Sequence, residues 1–98
     1  MEKLTAHYKL ARVKALIEEG RVVFTTVASQ GYRAMSMSRS EAVEIIAGLC
    51  QADFYKSMTT YIDHTVWQDV YHPMTLAGSL YVKLTVKDEL LVVSFKLR

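Results

Sequence analysis

Two hydrophobic periods run along this chain. Between Leu4 and Glu19, Leu10, Val13, Leu16 and Ile17 recur at helical spacing, while Lys9, Arg12, Lys14, Glu18 and Glu19 sit largely elsewhere; this predicts an amphipathic helix. Gly20 is its natural stop. The β-branched run that follows predicts a strand over Arg21–Val27, and Gln30-Gly31-Tyr32 reads as a turn. Ser38-Arg39-Ser40-Glu41 has capping-box spacing, so a second helix should start near Ser38. Its apolar face is Val43, Ile46, Ala47 and Cys50, widened by Ile45 and Leu49. Asp53 is placed to cap a short third helical turn through Phe54, Tyr55 and Lys56.

Beyond that point the period shortens to two. Trp67–His72 reads as a strand ended by Pro73, and Leu80–Val86 and Leu90–Lys96 as strands joined at Lys87-Asp88-Glu89. In the first hairpin strand the even residues Leu80, Val82, Leu84 and Val86 are apolar; in the second the odd residues Leu91, Val93 and Phe95 are. Matching apolar faces then sets odd against even. A two-residue Asp88-Glu89 turn satisfies that parity and puts Tyr81 across from Lys96, with Cβ atoms about 5 Å apart on one face. The element order predicts an α+β fold: a small single domain with a mainly antiparallel sheet packed against two to three helices.

Length changes the picture little, since 98 residues make one domain over residues 1–98. No apolar run approaches the roughly 18 residues of a membrane span. The charged amino terminus has no hydrophobic signal region, and the lone Cys50 cannot pair internally, so a reducing, cytoplasmic setting is expected. Cys50 itself is expected as a packed thiol on its helix face. A net charge of +2 is too small to argue for nucleic acid from bulk charge. From Asp53 onward, Lys56, Lys83, Lys87, Lys96 and Arg98 are matched by five acidic residues. Any polyanion site must therefore come from where individual lysines are placed.

The chemistry-bearing blocks are DFYKSMTTY (Asp53–Tyr61), HTVWQDVY (His64–Tyr71), YVKLTV (Tyr81–Val86) and VSFK (Val93–Lys96), with an amino-terminal MEK…H…L…VK. In residues and spacing these resemble the motility quorum-sensing regulator (MqsR) family of bacterial mRNA interferase toxins, most weakly over residues 22–44. The resemblance implies a fold like that of RelE- and YoeB-type microbial ribonucleases. It also implies a sequence-specific endoribonuclease, metal-independent, cofactor-free and without a catalytic histidine, that cuts mRNA at short GCU-type sites through 2′-OH attack on the adjacent phosphate. Such a protein is the toxin of a type II toxin–antitoxin pair, tied to stress response, biofilm formation and quorum sensing. Its partner antitoxin combines a zinc-binding part with a helix-turn-helix part, so DNA is reached only through that complex, in repression of its own operon.

The catalytic positions so implied are Lys56, Gln68, Tyr81 and Lys96, with Tyr55, Met58 and Lys83 as RNA contacts and no metal. Lys56 would meet the phosphate and its transition-state charge, Tyr81 would transfer a proton, Gln68 would orient the phosphate and Lys96 would add positive potential. At His72 the family pattern has arginine, so a phosphate contact there is expected to be weaker. Without the resemblance, Lys56 is a solvated helix lysine, Tyr81 a half-buried sheet tyrosine and Gln68 an ordinary strand residue. Trp67 reads as a core anchor, and His64 as a turn residue bonding to local backbone. His7 and His72 are scattered and make no metal set with Cys50. The competing reading is a non-catalytic RNA- or antitoxin-binding module with the same fold.

Overall fold

The apolar positions of the carboxyl-terminal half organise the molecule. The computed structural model describes residues 1–98. In it Leu80, Val82 and Leu84 lie fully buried along one strand, with Leu90, Val92 and Phe95 buried along its neighbour. The strands are β1 (Glu2–Lys3), β2 (Val22–Phe24), β3 (Phe54–Thr59), β4 (Trp67–Tyr71), β5 (Met74–Thr75), β6 (Gly78–Val86) and β7 (Leu90–Leu97). They form a sheet in the order β1-β3-β4-β6-β7-β2, with β5 pairing β6. All pairings are antiparallel except β2 with β7. The helices α1 (Leu10–Glu18), α2 (Thr26–Ala34) and α3 (Arg39–Ala47) add Val13, Leu16, Ala28, Tyr32, Ala42 and Ile46 to one core with the buried strand residues. The fold is thus α+β with a mostly antiparallel sheet, as the sequence pattern predicts.

Local differences from the expected elements have identifiable causes. The first helix keeps its predicted face but begins at Leu10, because the preceding residues pair as β1 and then cross the sheet. Gly20 ends it at φ 72°, as expected. The predicted strand Arg21–Val27 stops at Phe24, because the Thr25 hydroxyl accepts the Ala28 N–H and starts α2. Gln30-Gly31-Tyr32 is accordingly helix, not turn. Gly31 is there for proximity: a Cβ at this position would overlap the Phe95 carbonyl oxygen on β7. The Ser38–Glu41 capping box is formed, yet the buried face of α3 is Ala42 and Ile46, continued by Leu49. Cys50 falls outside it, exposed, with its thiol 3.3 Å from an Asp53 carboxylate oxygen; the packed-thiol expectation is overturned.

The third helical turn is also displaced. Gln51–Asp53 form a short 3-10 turn, the Asp53 carboxylate accepting the Cys50 N–H, and Phe54, Tyr55 and Lys56 open β3 instead. A bulge between Phe54 and Lys56 breaks the alternation that would have announced this strand. In the last hairpin Tyr81 does face Lys96, but by another route. Val86 pairs with Leu90, Thr85 with Leu91 and Leu84 with Val92, even against even and odd against odd, around a three-residue turn. A bulge at Val93 then shifts the register, so Lys83 meets Ser94 and Tyr81 meets Lys96. Leu90 and Val92 are therefore the buried residues, and Leu91 and Val93 are not.

Candidate active site

Directly opposed residues in a sheet share a face, so the pairings assign every strand residue to a side. The helices cover the side of Leu80, Val82 and Leu84. On the other side, successive rows cross β3, β4, β6 and β7. One contains Lys56, Val70, Lys83 and Ser94, each opposite the next. The adjoining row contains Tyr55, His72, Tyr81 and Lys96. In it, the Tyr55 and His72 rings stack at 4.3 Å, the His72 and Tyr81 centroids are 5.8 Å apart, and Lys96 Nζ lies 5.4 Å from the Tyr81 ring. A third row on the opposite flank pairs Met58 with Gln68. All seven residues singled out from the sequence therefore share the uncovered face, though not one spot. Tyr81, Lys96, Tyr55 and Lys56 gather toward one end, whereas Gln68 lies two rows from Tyr81, about 13 Å along the strands.

The β3 bulge is what lets Tyr55 and Lys56, consecutive in sequence, both serve this face. Lys56 Nζ donates to Glu2 Oε2 at 2.7 Å, and this hydrogen bond raises the lysine pKa, so Lys56 is firmly cationic. Its Nζ also sits 5.5 Å from the Tyr55 ring. Burial, aided by Lys96, pulls Lys83 below the usual lysine value. Burial followed by the charge of Arg98 does the same for His72, favouring neutral imidazole. Lys56, Lys83 and Lys96 share a face on which Glu2 is the only strand carboxylate, so local placement does supply the positive surface that net charge withholds. No three His, Cys, Asp or Glu side chains converge closely enough to hold a metal ion.

Glu2 owes its position to a strap formed by the amino-terminal residues. Glu2 pairs with Met58 across β1 and β3, and the Met1 ammonium bonds Thr59 Oγ1. Further on, the buried Asp69 carboxylate accepts the backbone N–H groups of His7 and Tyr8 at 3.0 and 2.9 Å. His7 stacks on Trp67 and Lys3 Nζ lies 4.1 Å from that ring, so Trp67 anchors the strap; it is half-buried and outside the core, which corrects the expected core anchor. His64 lies exposed in the β3–β4 loop, but the hydrogen bonds that shape that turn come from Thr60 and Asp63, not from His64. Sequence reasoning missed Glu2 and Asp69. The one available signal was an acidic residue inside the apolar run of WQDVY, which must find partners if buried.

An antiparallel sheet with helices on one face and lysines and tyrosines on the other defines a small α+β domain that offers bare strands to an anionic or aromatic ligand. Compared with known proteins, residues 5–97 match the family described as motility quorum-sensing regulator, toxin of MqsA. The chain is also similar to the mRNA interferase toxin MqsR of Escherichia coli (strain K12), 46% identical over 96 residues that cover 98% of each protein. It belongs to the MqsR toxin family.

Proposed function

We propose that this protein is an endoribonuclease toxin that cuts mRNA on the open sheet face, at short GCU-type sites and without a metal. The observation that carries the reading is Tyr81 opposite Lys96 with Lys56 in the adjoining row, on a face with one strand carboxylate. The cleavage is attack of a 2′-hydroxyl on the adjacent phosphate. It requires a cation for the charge that grows on the phosphoryl oxygens and proton transfer at the entering and leaving oxygens. Lys56, held charged by Glu2, donates its remaining N–H bonds to those oxygens. Tyr81 gives its proton to the leaving 5′-oxygen, and Lys96 adds positive potential beside it. Gln68, diagonal to Lys56 at about 7–8 Å, orients the phosphate or the adjoining nucleotide. Tyr55 and Met58 offer surfaces for unstacked bases, and Lys83 a backbone contact.

The kinship supports a cytoplasmic toxin restrained by an antitoxin that joins a zinc-binding part to a helix-turn-helix part. No helix is long and apolar enough to cross a membrane. The test is incubation of the purified protein with a long defined RNA in EDTA, with mapping of the cut ends. Discrete cuts at a recurring triplet with cyclic phosphate ends are expected, slowed about a hundredfold or more by Lys56→Ala or Tyr81→Ala. A folded protein that cuts nothing, or that cuts equally well in both variants, returns the chain to the binding-module reading.

A further inference from the structure

Cleavage by 2′-hydroxyl attack needs a base for the entering oxygen as well as an acid for the leaving one, and Tyr81 fills only the second role. We propose that His72 is the base, taking the 2′-hydroxyl proton on Nδ1 from a nucleotide laid over the Tyr55–His72–Tyr81 row. This rests on the ribonuclease reading of the same face. His72 follows the last residue of β4, and its backbone N–H donates to the Asp53 carbonyl at 2.7 Å, which fixes where its ring emerges. The ring is clamped from one side by the Tyr55 stack at 4.3 Å and faces Tyr81 at 5.8 Å. Nε2 is buried without a partner, and no protein group hydrogen-bonds Nδ1, so Nδ1 is the nitrogen left for a ligand. The groups that surround the ring are Tyr55 from β3, Tyr81 from β6 with Lys96 across it, and Arg98 just past β7. The nearby Asp53 turns its carboxylate to Cys50, so no side-chain anion steadies an imidazolium. Neutral imidazole is the form a base must have, and this setting favours it.

The step balances. As the 2′-O–P bond forms, the 2′ proton moves to His72 Nδ1; as the P–O5′ bond breaks, the Tyr81 phenol gives its proton to O5′. The products are a 2′,3′-cyclic phosphate and a 5′-hydroxyl. Transfer of a proton from the imidazolium to the phenolate, directly or through water, restores both groups.

The experiment follows the initial rate at one mapped cut of a defined RNA in EDTA, from about pH 5 to 9, for the wild type, His72→Gln and His72→Ala. The wild-type rate should rise tenfold per pH unit at the acid end and level off below about pH 6.5, the ordinary histidine value. His72→Gln should be slower by about a hundredfold at pH 7 and lose that limb. Added imidazole should revive His72→Ala, which a merely structural histidine would not permit. A His72→Gln protein with the wild-type rate, or one that keeps the acid limb, overturns the proposal, as does a folded His72→Ala that imidazole leaves inert. If Lys56→Ala and Tyr81→Ala are dead while His72→Gln is unimpaired, only this inference falls. If the wild type cuts no RNA, the ribonuclease reading falls with it.

Discussion

Replacing Asp69 with alanine tests whether one buried carboxylate holds the amino-terminal strap over the sheet. Asp69 is fully buried and receives two charge-assisted bonds, from the His7 and Tyr8 backbone N–H groups at 3.0 and 2.9 Å. A hydrogen bond to a charged group contributes roughly 1.5–3 kcal/mol, which sets an upper bound of about 6 kcal/mol for the pair. The strap can peel away and recover water on its freed N–H groups, so the loss is capped by the cost of local opening. That opening also breaks the bonds of the Tyr8 hydroxyl region with Trp67 and Thr85, the His7–Trp67 stack and the β1–β3 ladder. The expected destabilisation is about 3 kcal/mol, or about 12–24 °C in Tm for a chain this short. Asp69→Asn, which keeps one acceptor oxygen and presents an amide N–H to the other donor, should lose about half as much. Thermal unfolding by circular dichroism reads the stability, and amide hydrogen exchange at His7 and Tyr8 reads the strap. Full exchange protection of both amides in Asp69→Ala, with Tm changed by less than about 3 °C, would refute the reasoning.

Gly31→Ala should destabilise the protein by about 2 kcal/mol despite better helix propensity. The added methyl overlaps the Phe95 carbonyl and forces α2 off β7, so a denaturation midpoint at or above that of the wild type contradicts the close approach. Glu2→Gln should lower the Lys56 pKa toward the ordinary lysine value, because the bond to Glu2 is the largest cause of its rise; an unchanged lysine titration by NMR would show that the pair does not persist in solution. Thr25→Ala removes both the α2 cap and the bond from its hydroxyl to the Val93 carbonyl. The expected cost is about 1–2 kcal/mol in a denaturation experiment, and a loss of a few tenths or less would mean that neither contact contributes.

What the sequence revealed of the fold was whatever a single period could carry. The α1 face, the capping box of α3, the strand at Trp67 and the presence of the last two strands are regular enough to read directly, whereas the register of the final hairpin is not. The reading failed at Thr25–Ala34, where β-branched residues with strong strand propensity are overruled by a threonine cap and by a glycine whose purpose is tertiary. It failed again at Phe54–Lys56, where propensity and a neighbouring acidic residue fit a helical turn as well as a strand. For the candidate site, the residue types came from the family resemblance; the Tyr81–Lys96 juxtaposition was expected from an odd-against-even parity that the hairpin does not have, and it arises instead from the bulge at Val93. The Glu2–Lys56 pair joins residues 54 positions apart and depends on β1 joining an edge, which no local pattern announces.

The two bulges account for both the failed readings and the face they build. A perfect ladder sends successive residues to opposite sides, so Tyr55 and Lys56 could not both reach the open face without the irregularity between Phe54 and Lys56. In β7 the shift at Val93 turns Phe95 into the core while Lys96 comes opposite Tyr81; without it, the even-numbered face that buries Leu90 and Val92 would have buried Lys96 as well. A bulge leaves a backbone group outside the ladder, and here it is used: the Val93 carbonyl accepts the Thr25 hydroxyl, next to the Val92 carbonyl that accepts the Thr25 N–H as the β2–β7 pairing ends. The start of α2 is thereby tied to the point where β7 changes parity, and the same helix is drawn onto Phe95 at Gly31. The placement of α2 on the covered side and of Lys96 on the open side are consequences of one register shift, so a substitution that disturbs the Thr25–Val93 junction should be felt at Lys96 across the sheet.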